Sequence, residues 1–164
     1  MTGIQSIQSA LEGTKGLLNW FVADFSDADL MVRPCPGANH TAWQIGNVIA
    51  GDIFFVNSQF PDAKFPALPE GFMERHGNKG TGDDDAKHFL TKDAYLKLLN
   101  DVRAVTIAEL GKLSDADLDK PTTGHVKDFA PTMAKMFQMA SDHTIMHAGQ
   151  FSVIRRKLGK PVLF

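Results

Sequence analysis

At 164 residues and 18.0 kDa the chain has the size of one domain with one sizeable core, and residues 1–164 are read as a single domain. Its 43% hydrophobic and 22% charged content is that of a soluble globular protein. A net charge of −2 and a pI near 6.3 provide no basic footprint for nucleic acid, and no run approaches the ~18 apolar residues of a membrane span.

The opening Met1-Thr2-Gly3-Ile4-Gln5 has no basic stretch followed by an apolar one, so no signal peptide is read there. Cys35, the sole cysteine, can form no internal disulfide, and cytoplasmic is the default compartment. Cys35 lies in Arg33-Pro34-Cys35-Pro36-Gly37. Arg33 could lower its pKa, but a lone thiol in a proline-rich turn is read as inert.

Ile4, Ile7, Leu11, Thr14, Leu18, Phe21 and Phe25 recur at alternating threes and fours, widened by Leu17 and Trp20. This spacing predicts a first helix with one buried stripe, ending near Asp24 or Phe25. Residues 26–39, with Pro34, Pro36 and Gly37, break it. A second helix is predicted from Asn39 to Thr41, either of which can cap it, up to Pro61. Residues 61–87 carry Pro66, Pro69 and several glycines, and read as a long crossover with a helical turn near Glu70 to Glu74, able to shape the mouth of a pocket. Asp83 to Asp85 read as a solvated run or a helix start.

A third helix is predicted from Thr91, with Tyr95, Leu98, Leu99, Val102, Val105, Thr106, Glu109 and Leu113 as its period. After a break over residues 114–131, a fourth runs from about Thr132 to Leu158. Pro131 sits at its first turn and Gly159 and Pro161 stop it. No segment alternates as a strand does. The fold class is therefore all-α, a four-helix bundle with a long crossover between helices two and three. Ser26-Asp27-Ala28-Asp29-Leu30 recurs identically at Ser114 to Leu118, each copy between two helical patterns. A helix pair used twice follows, each copy opening a short turn through a capping-box variant.

Chemistry concentrates in Ser141-Asp142-His143-Thr144-Ile145-Met146-His147-Ala148-Gly149-Gln150. His143 and His147 are four apart and share a helix face. They fall in the stripe of Met133, Met136, Ala140, Phe151, Ile154 and Leu158, so they point inward, toward a shared pocket. Buried imidazoles need partners. A divalent metal is one possibility. A hydrogen-bond network with Gln44, Asn47 or Asp52 of the second helix is the other. His40 is expected at the surface or as a cap, and His76, His88 and His125 are expected in solvent. The methionines 133, 136, 139 and 146 read as adaptable core. Gly46 and Gly149 are small enough to let helices two and four approach.

Two stretches carry a resemblance. Residues 39–52, Asn39-His40-Thr41-Ala42-Trp43-Gln44-Ile45-Gly46-Asn47 through Asp52, are similar to the Trp-x-x-Gly-His-Leu segment of the DinB-like superfamily. His143-x-x-x-His147-x-Gly149-Gln150 is similar to that family's last-helix motif. The resemblance covers nearly the whole chain. It implies a metal-binding four-helix bundle, with a ligand triad of Asn47, His143 and His147 for Zn²⁺ or Ni²⁺. Asparagine stands where the family has a third histidine. Three readings stay open there: Asn47 as a weak ligand, Asp52 or His40 standing in (Asp52 lies about 140° round the helix from Asn47), or a metal-free network. The resemblance further implies a thiol-dependent transferase, an isomerase or a hydrolase acting on a small molecule, with a low-molecular-weight thiol as cosubstrate. No general base stands out from the sequence itself; Asp52 or Asp142 are candidates only where they face the site. The alternative is a non-enzymatic bundle that binds a small ligand or forms a homodimer.

Overall fold

The computed structural model describes residues 1–163, so Phe164, the end of the expected domain, lies outside it. Four long helices carry the fold among the described residues, each opened by a side chain that takes an orphan N–H of the first turn. Helix α1 (Gly3–Val22) starts at Thr2, whose hydroxyl accepts the Gln5 N–H while Gln5 accepts the Thr2 N–H. It stops at Val22, earlier than expected, although Phe25 beyond its end is still buried. A four-residue turn, α2 (Asp27–Leu30), follows. Helix α3 (Thr41–Gln59) is capped by His40, not by Asn39 or Thr41: the His40 Nδ1 accepts the Trp43 N–H at 3.1 Å. The crossover holds the short α4 (Phe72–Arg75). Helix α5 (Lys92–Leu110) is capped by Thr91, and α6 (Met133–Lys157) by Thr132, so Pro131 precedes the cap and does not enter the first turn.

Both copies of the five-residue repeat open a helical turn through a capping box, at Asp27–Leu30 and at Asp115–Asp119. Each copy also reaches into the other half. Asp27, after α1, accepts the Lys92 N–H at the start of α5 at 2.6 Å. Asp115, after α5, accepts the Ile4 N–H at the start of α1 at 3.0 Å. The helix pairs α1–α3 and α5–α6 are therefore tied to each other by equivalent contacts.

The extensive packing is α1 on α6, α3 on α5, α3 on α6 and α1 on α5, which leaves α1 and α3 diagonally opposite, and likewise α5 and α6. Two apolar clusters fill the interior. One gathers Leu18, Val22, Ile45, Ile49, Tyr95, Leu99, Phe151 and Ile154. The other gathers Leu11, Val56, Leu110, Leu118, Val126, Met136 and Phe137. Met133 and Met139 pack against the second cluster, as core methionines should, while Met146 is 57% exposed.

Between the clusters lies a buried polar layer of Thr14, Asp52, Arg103, Thr106, Ser141 and Thr144. Arg103 of α5 is its centre. Its Nε lies 2.8 Å from Asp52 Oδ2, and its Nη2 donates to Asp52 Oδ1 at 3.2 Å and to Thr144 Oγ1 at 2.8 Å. Further bonds run to the carbonyls of Leu11 and Ala140. Arg103 thus touches all four long helices. Burial pushes the Asp52 carboxyl up, to about 6, against the pull of the guanidinium. No helix of the described residues is long and apolar enough to cross a membrane.

Removing one partner strands the other charge without water. Arg103→Met is expected to lower the unfolding free energy by about 3–5 kcal/mol, and the double change Arg103→Met with Asp52→Leu to recover most of it. Urea unfolding of the three proteins checks this; a double variant no more stable than the single one would contradict it.

Candidate functional site

The α3–α6 groove is built by one stripe from each helix. Asn47 and Gly51 lie one turn apart on α3, and His143 and His147 face them from α6. Gly51 makes the approach possible. A Cβ there would stand 2.8 Å from His143 Nδ1, so only a hydrogen lets the ring lie against the α3 backbone. The glycines singled out from sequence serve otherwise: Gly46 meets the ring of His76 and Gly149 faces open space.

Three atoms converge. His143 Nε2 lies 3.0 Å from Asn47 Oδ1, His147 Nε2 lies 3.1 Å from the same oxygen, and the two Nε2 atoms are 3.1 Å apart. Neighbouring bonds fix which atoms these are. Asn47 Nδ2 donates to the His76 carbonyl at 2.7 Å, which turns Oδ1 toward the imidazoles. Gln44 Nε2 donates to the Asn39 carbonyl at 2.6 Å, so Gln44 Oε1 accepts the Nδ1–H of His147 at 3.0 Å. A neutral His147 has then used its one proton, and its Nε2 is a bare lone pair. His143 Nδ1 is buried and without a partner.

The proton count falls short. A proton on His143 Nε2 serves Asn47 Oδ1 or His147 Nε2 but not both well, and a proton on Nδ1 would be buried against Gly51 with no acceptor. The triangle holds more lone pairs than hydrogens. Burial, and then the neighbouring His143, push His147 down to about 3, while burial and the Arg103 charge lower His143. Both imidazoles are therefore neutral, the form a cation requires.

His147 is buried, but His143 and Asn47 are half-buried, so the site opens at the surface of the groove and is not a closed interior pocket. Its rim is aromatic. Phe55 packs against both His143 and Phe129, with ring centroids 6.3 and 6.0 Å away, and Phe54 and Phe129 are 47% and 44% exposed.

The remaining candidates separate clearly. Asp52 points into the polar layer and is spent on Arg103, so it neither replaces Asn47 nor serves this groove as a base. Asp142 is exposed. His40 is fully buried, used as a cap and bonded to the Asp83 carbonyl at 3.0 Å. His88, paired with Asp83, and His125 are exposed, and so is the free Cys35. His76, expected in solvent, is 1% exposed: its ring fits over Gly46 and bonds Tyr95. Among the described residues no third His, Cys, Asp or Glu joins the histidine pair. The third group is the Asn47 amide.

A model of the DinB superfamily matches residues 10–151, which include every residue of the groove named above. The chain belongs to the DinB superfamily. Two solved structures share the fold of this DinB protein. A conserved protein from Enterococcus faecalis matches with a TM-score of 0.72 at 17% identity, over 98% of this chain and 99% of its own. YfiT from Bacillus subtilis, described as a probable metal-dependent hydrolase with an unusual four-helix bundle topology, matches with a TM-score of 0.65 at 17% identity, over 96% and 89%. No curated protein sequence matches the chain.

The buried imidazoles of this DinB protein set a pH dependence. His147 at about 3 and His76 at about 4 lie below the ordinary 6.5. Below pH 6.5 the unfolded chain takes up protons that the folded chain refuses, so stability falls as the pH falls. Between about pH 6.5 and pH 5 the protein, assayed with a chelator present, is expected to lose on the order of 2 kcal/mol for each of these histidines, offset in part by Asp52, whose raised pKa of about 6 lets the folded chain take up that proton first. Urea midpoints across that range check it, with His147→Gln expected to remove its own share; a flat profile would contradict the neutral assignment.

Proposed function

We propose that Asn47, His143 and His147 hold a divalent cation, Zn²⁺ or Ni²⁺, and that the protein uses it to hydrolyse, isomerise or transfer a thiol to a small molecule. The observation that carries this reading is the lone-pair excess: three acceptor atoms face one another at 3.0 to 3.1 Å with too few protons between them. A cation satisfies all three at once. Their spacing also supports it. Three ligands on one face of an octahedron at bonds of about 2.1 Å stand about 3.0 Å apart, whereas tetrahedral corners stand about 3.4 Å apart. The set, two imidazole nitrogens and a neutral amide oxygen, would suit a borderline divalent cation, and the half-buried Asn47 and His143 would let a substrate reach it.

Each residue has a part in this reading. Gln44 holds His147 in the tautomer whose Nε2 is free, as the outer partner of a ligating histidine does. Gly51 seats His143. Asn47 brings a neutral oxygen, so the ion keeps its full charge. A bound divalent cation supplies Lewis acidity and lowers the pKa of a water or of a low-molecular-weight thiol. The aromatic rim of Phe54, Phe55 and Phe129 favours a substrate with an apolar part. That the neighbour YfiT is described as a probable metal-dependent hydrolase agrees with the reading.

Untagged protein is expected to take up about one Ni²⁺ or Zn²⁺ per chain at micromolar concentration. His143→Ala and His147→Ala should abolish uptake in that range, and Gln44→Leu should weaken it by about 10–100-fold. Asn47→His should bind Zn²⁺ more tightly, since a borderline ion prefers nitrogen. Calorimetry and metal analysis measure all four, and no uptake by the wild type would sink the proposal.

A second reading rests on a different observation. Ile145, Met146 and Val153 stand 50%, 57% and 51% exposed on the outer face of α6, around the open Gly149. An apolar stripe of this kind favours a homodimer. Sedimentation of wild type against Val153→Glu is expected to show a dimer reduced to a monomer; a monomeric wild type would end it.

A further inference from the structure

His76 lies in the crossover, far in sequence from the groove, yet it is among the most constrained side chains of the molecule. It is 1% exposed. Its Nδ1–H donates to the Phe72 carbonyl at 2.8 Å, which leaves Nε2 to accept the Tyr95 hydroxyl proton at 2.7 Å. The ring lies tilted by 38° against Phe72, with centroids 4.1 Å apart, and meets Phe89 and Tyr95 edge-on. Beneath it is Gly46, where any Cβ would overlap the imidazole. The ring is thus clamped from every side, flush against the α3 backbone one residue before Asn47.

The consequence is the position of the His76 carbonyl, which takes the Asn47 Nδ2–H at 2.7 Å. An asparagine amide can present either its oxygen or its NH₂ to a neighbour. Facing the two histidines, these are opposite chemistries. The oxygen adds a third lone pair to Nε2 of His143 and of His147, and the set attracts a cation. The NH₂ would donate to those lone pairs and neutralise them. The carbonyl of His76 decides between the two.

We infer that His76 is a positioning residue for the groove: its ring, seated over Gly46, places its carbonyl so that Asn47 turns its oxygen toward His143 and His147. The inference rests on the reading of Asn47 as a metal ligand. It also carries a metal-independent statement about the Asn47 amide. A histidine that only filled the core would leave both the amide and the metal affinity alone once the fold is intact.

The test is a double-mutant cycle. His76→Phe removes both ring bonds while keeping a planar side chain, and Gly46→Ala expels the ring without touching it chemically. Each is made alone and in an Asn47→Ala background, and Ni²⁺ affinity is measured by calorimetry. Each is expected to weaken Ni²⁺ binding about 10–100-fold in the wild-type background and to have no further effect once Asn47 is gone. Tyr95→Phe, the mildest change, should cause a smaller loss in the same direction. The metal-free readout is the Asn47 side-chain amide by NMR, identified by its loss in Asn47→Asp. Its protons should exchange slowly in the wild type and fast in His76→Phe. An unchanged amide in a folded His76→Phe, undiminished Ni²⁺ affinity, or an equal loss in both backgrounds would overturn the inference. A wild type that binds no Ni²⁺ but whose amide responds as stated would overturn the metal reading and leave the positioning role intact.

Discussion

The Arg103–Asp52 pair fixes how the helices stand against one another. Burying two charges is costly, and the attraction between them offsets that cost only with good geometry and further hydrogen bonds. Here those bonds reach every long helix: the Leu11 carbonyl on α1, Asp52 on α3, and Thr144 and the Ala140 carbonyl on α6. Because α5 and α6 are diagonal, only a side chain as long as arginine can span the centre. The pair also sets register. Asp52 follows Gly51, and Thr144 follows His143. Tying Asp52 and Thr144 to one guanidinium on the inner side settles the height at which Gly51 meets His143 in the groove. Sliding α3 along α6 by a turn would put a side chain against the imidazole and leave Asp52 without its partner.

At the site itself one device is used twice. Gln44 and Asn47, one turn apart on α3, each give a side-chain N–H to a backbone carbonyl and the amide oxygen to an imidazole. The carbonyls belong to Asn39, just before α3, and to His76 in the crossover. Amides have no charge to desolvate, so they can be held in a half-buried groove at modest cost. What they gain from the clamp is direction. Gln44 removes a proton from the side of His147 that faces the groove, and Asn47 withholds one. The result is a concentration of lone pairs that neither amide would produce if free to rotate.

The four helices, the repeat and the histidine pair on the inner stripe of the last helix were legible in the sequence, because each depends on residues within a few positions of one another. The family resemblance added the opposition of Asn47 to the pair. What could not be read was long-range. Arg103 follows Val102 on α5 and carries no local sign of a partner, so it looks like any solvated arginine until the diagonal packing brings Asp52 and Thr144 to it. His76 lies among glycines and charges that signal a surface loop, and only the missing side chain at Gly46 makes room for it. Gly51 follows Asn47 by one turn on the same face, and that spacing was the available signal for it. Gly46 offers the same absence of a side chain, and nothing in a one-dimensional pattern says which neighbour a bare backbone admits.

The repeat bears on where a site can form. Exchanging the α1–α3 pair with the α5–α6 pair maps the α1–α6 contact onto α5–α3, and Asp27 at α5 onto Asp115 at α1. Two contacts map onto themselves, α1 with α5 and α3 with α6. In such a contact equivalent helix faces meet, so residues placed at equivalent heights converge on one point from both sides. Were the halves alike, that point would match like with like, imidazoles against imidazoles or amides against amides. The chain departs from its own repeat here: α3 contributes fixed amides and a glycine, α6 contributes the histidines. Ligand orientation and ligand donation are thereby divided between two helices that the fold makes equivalent.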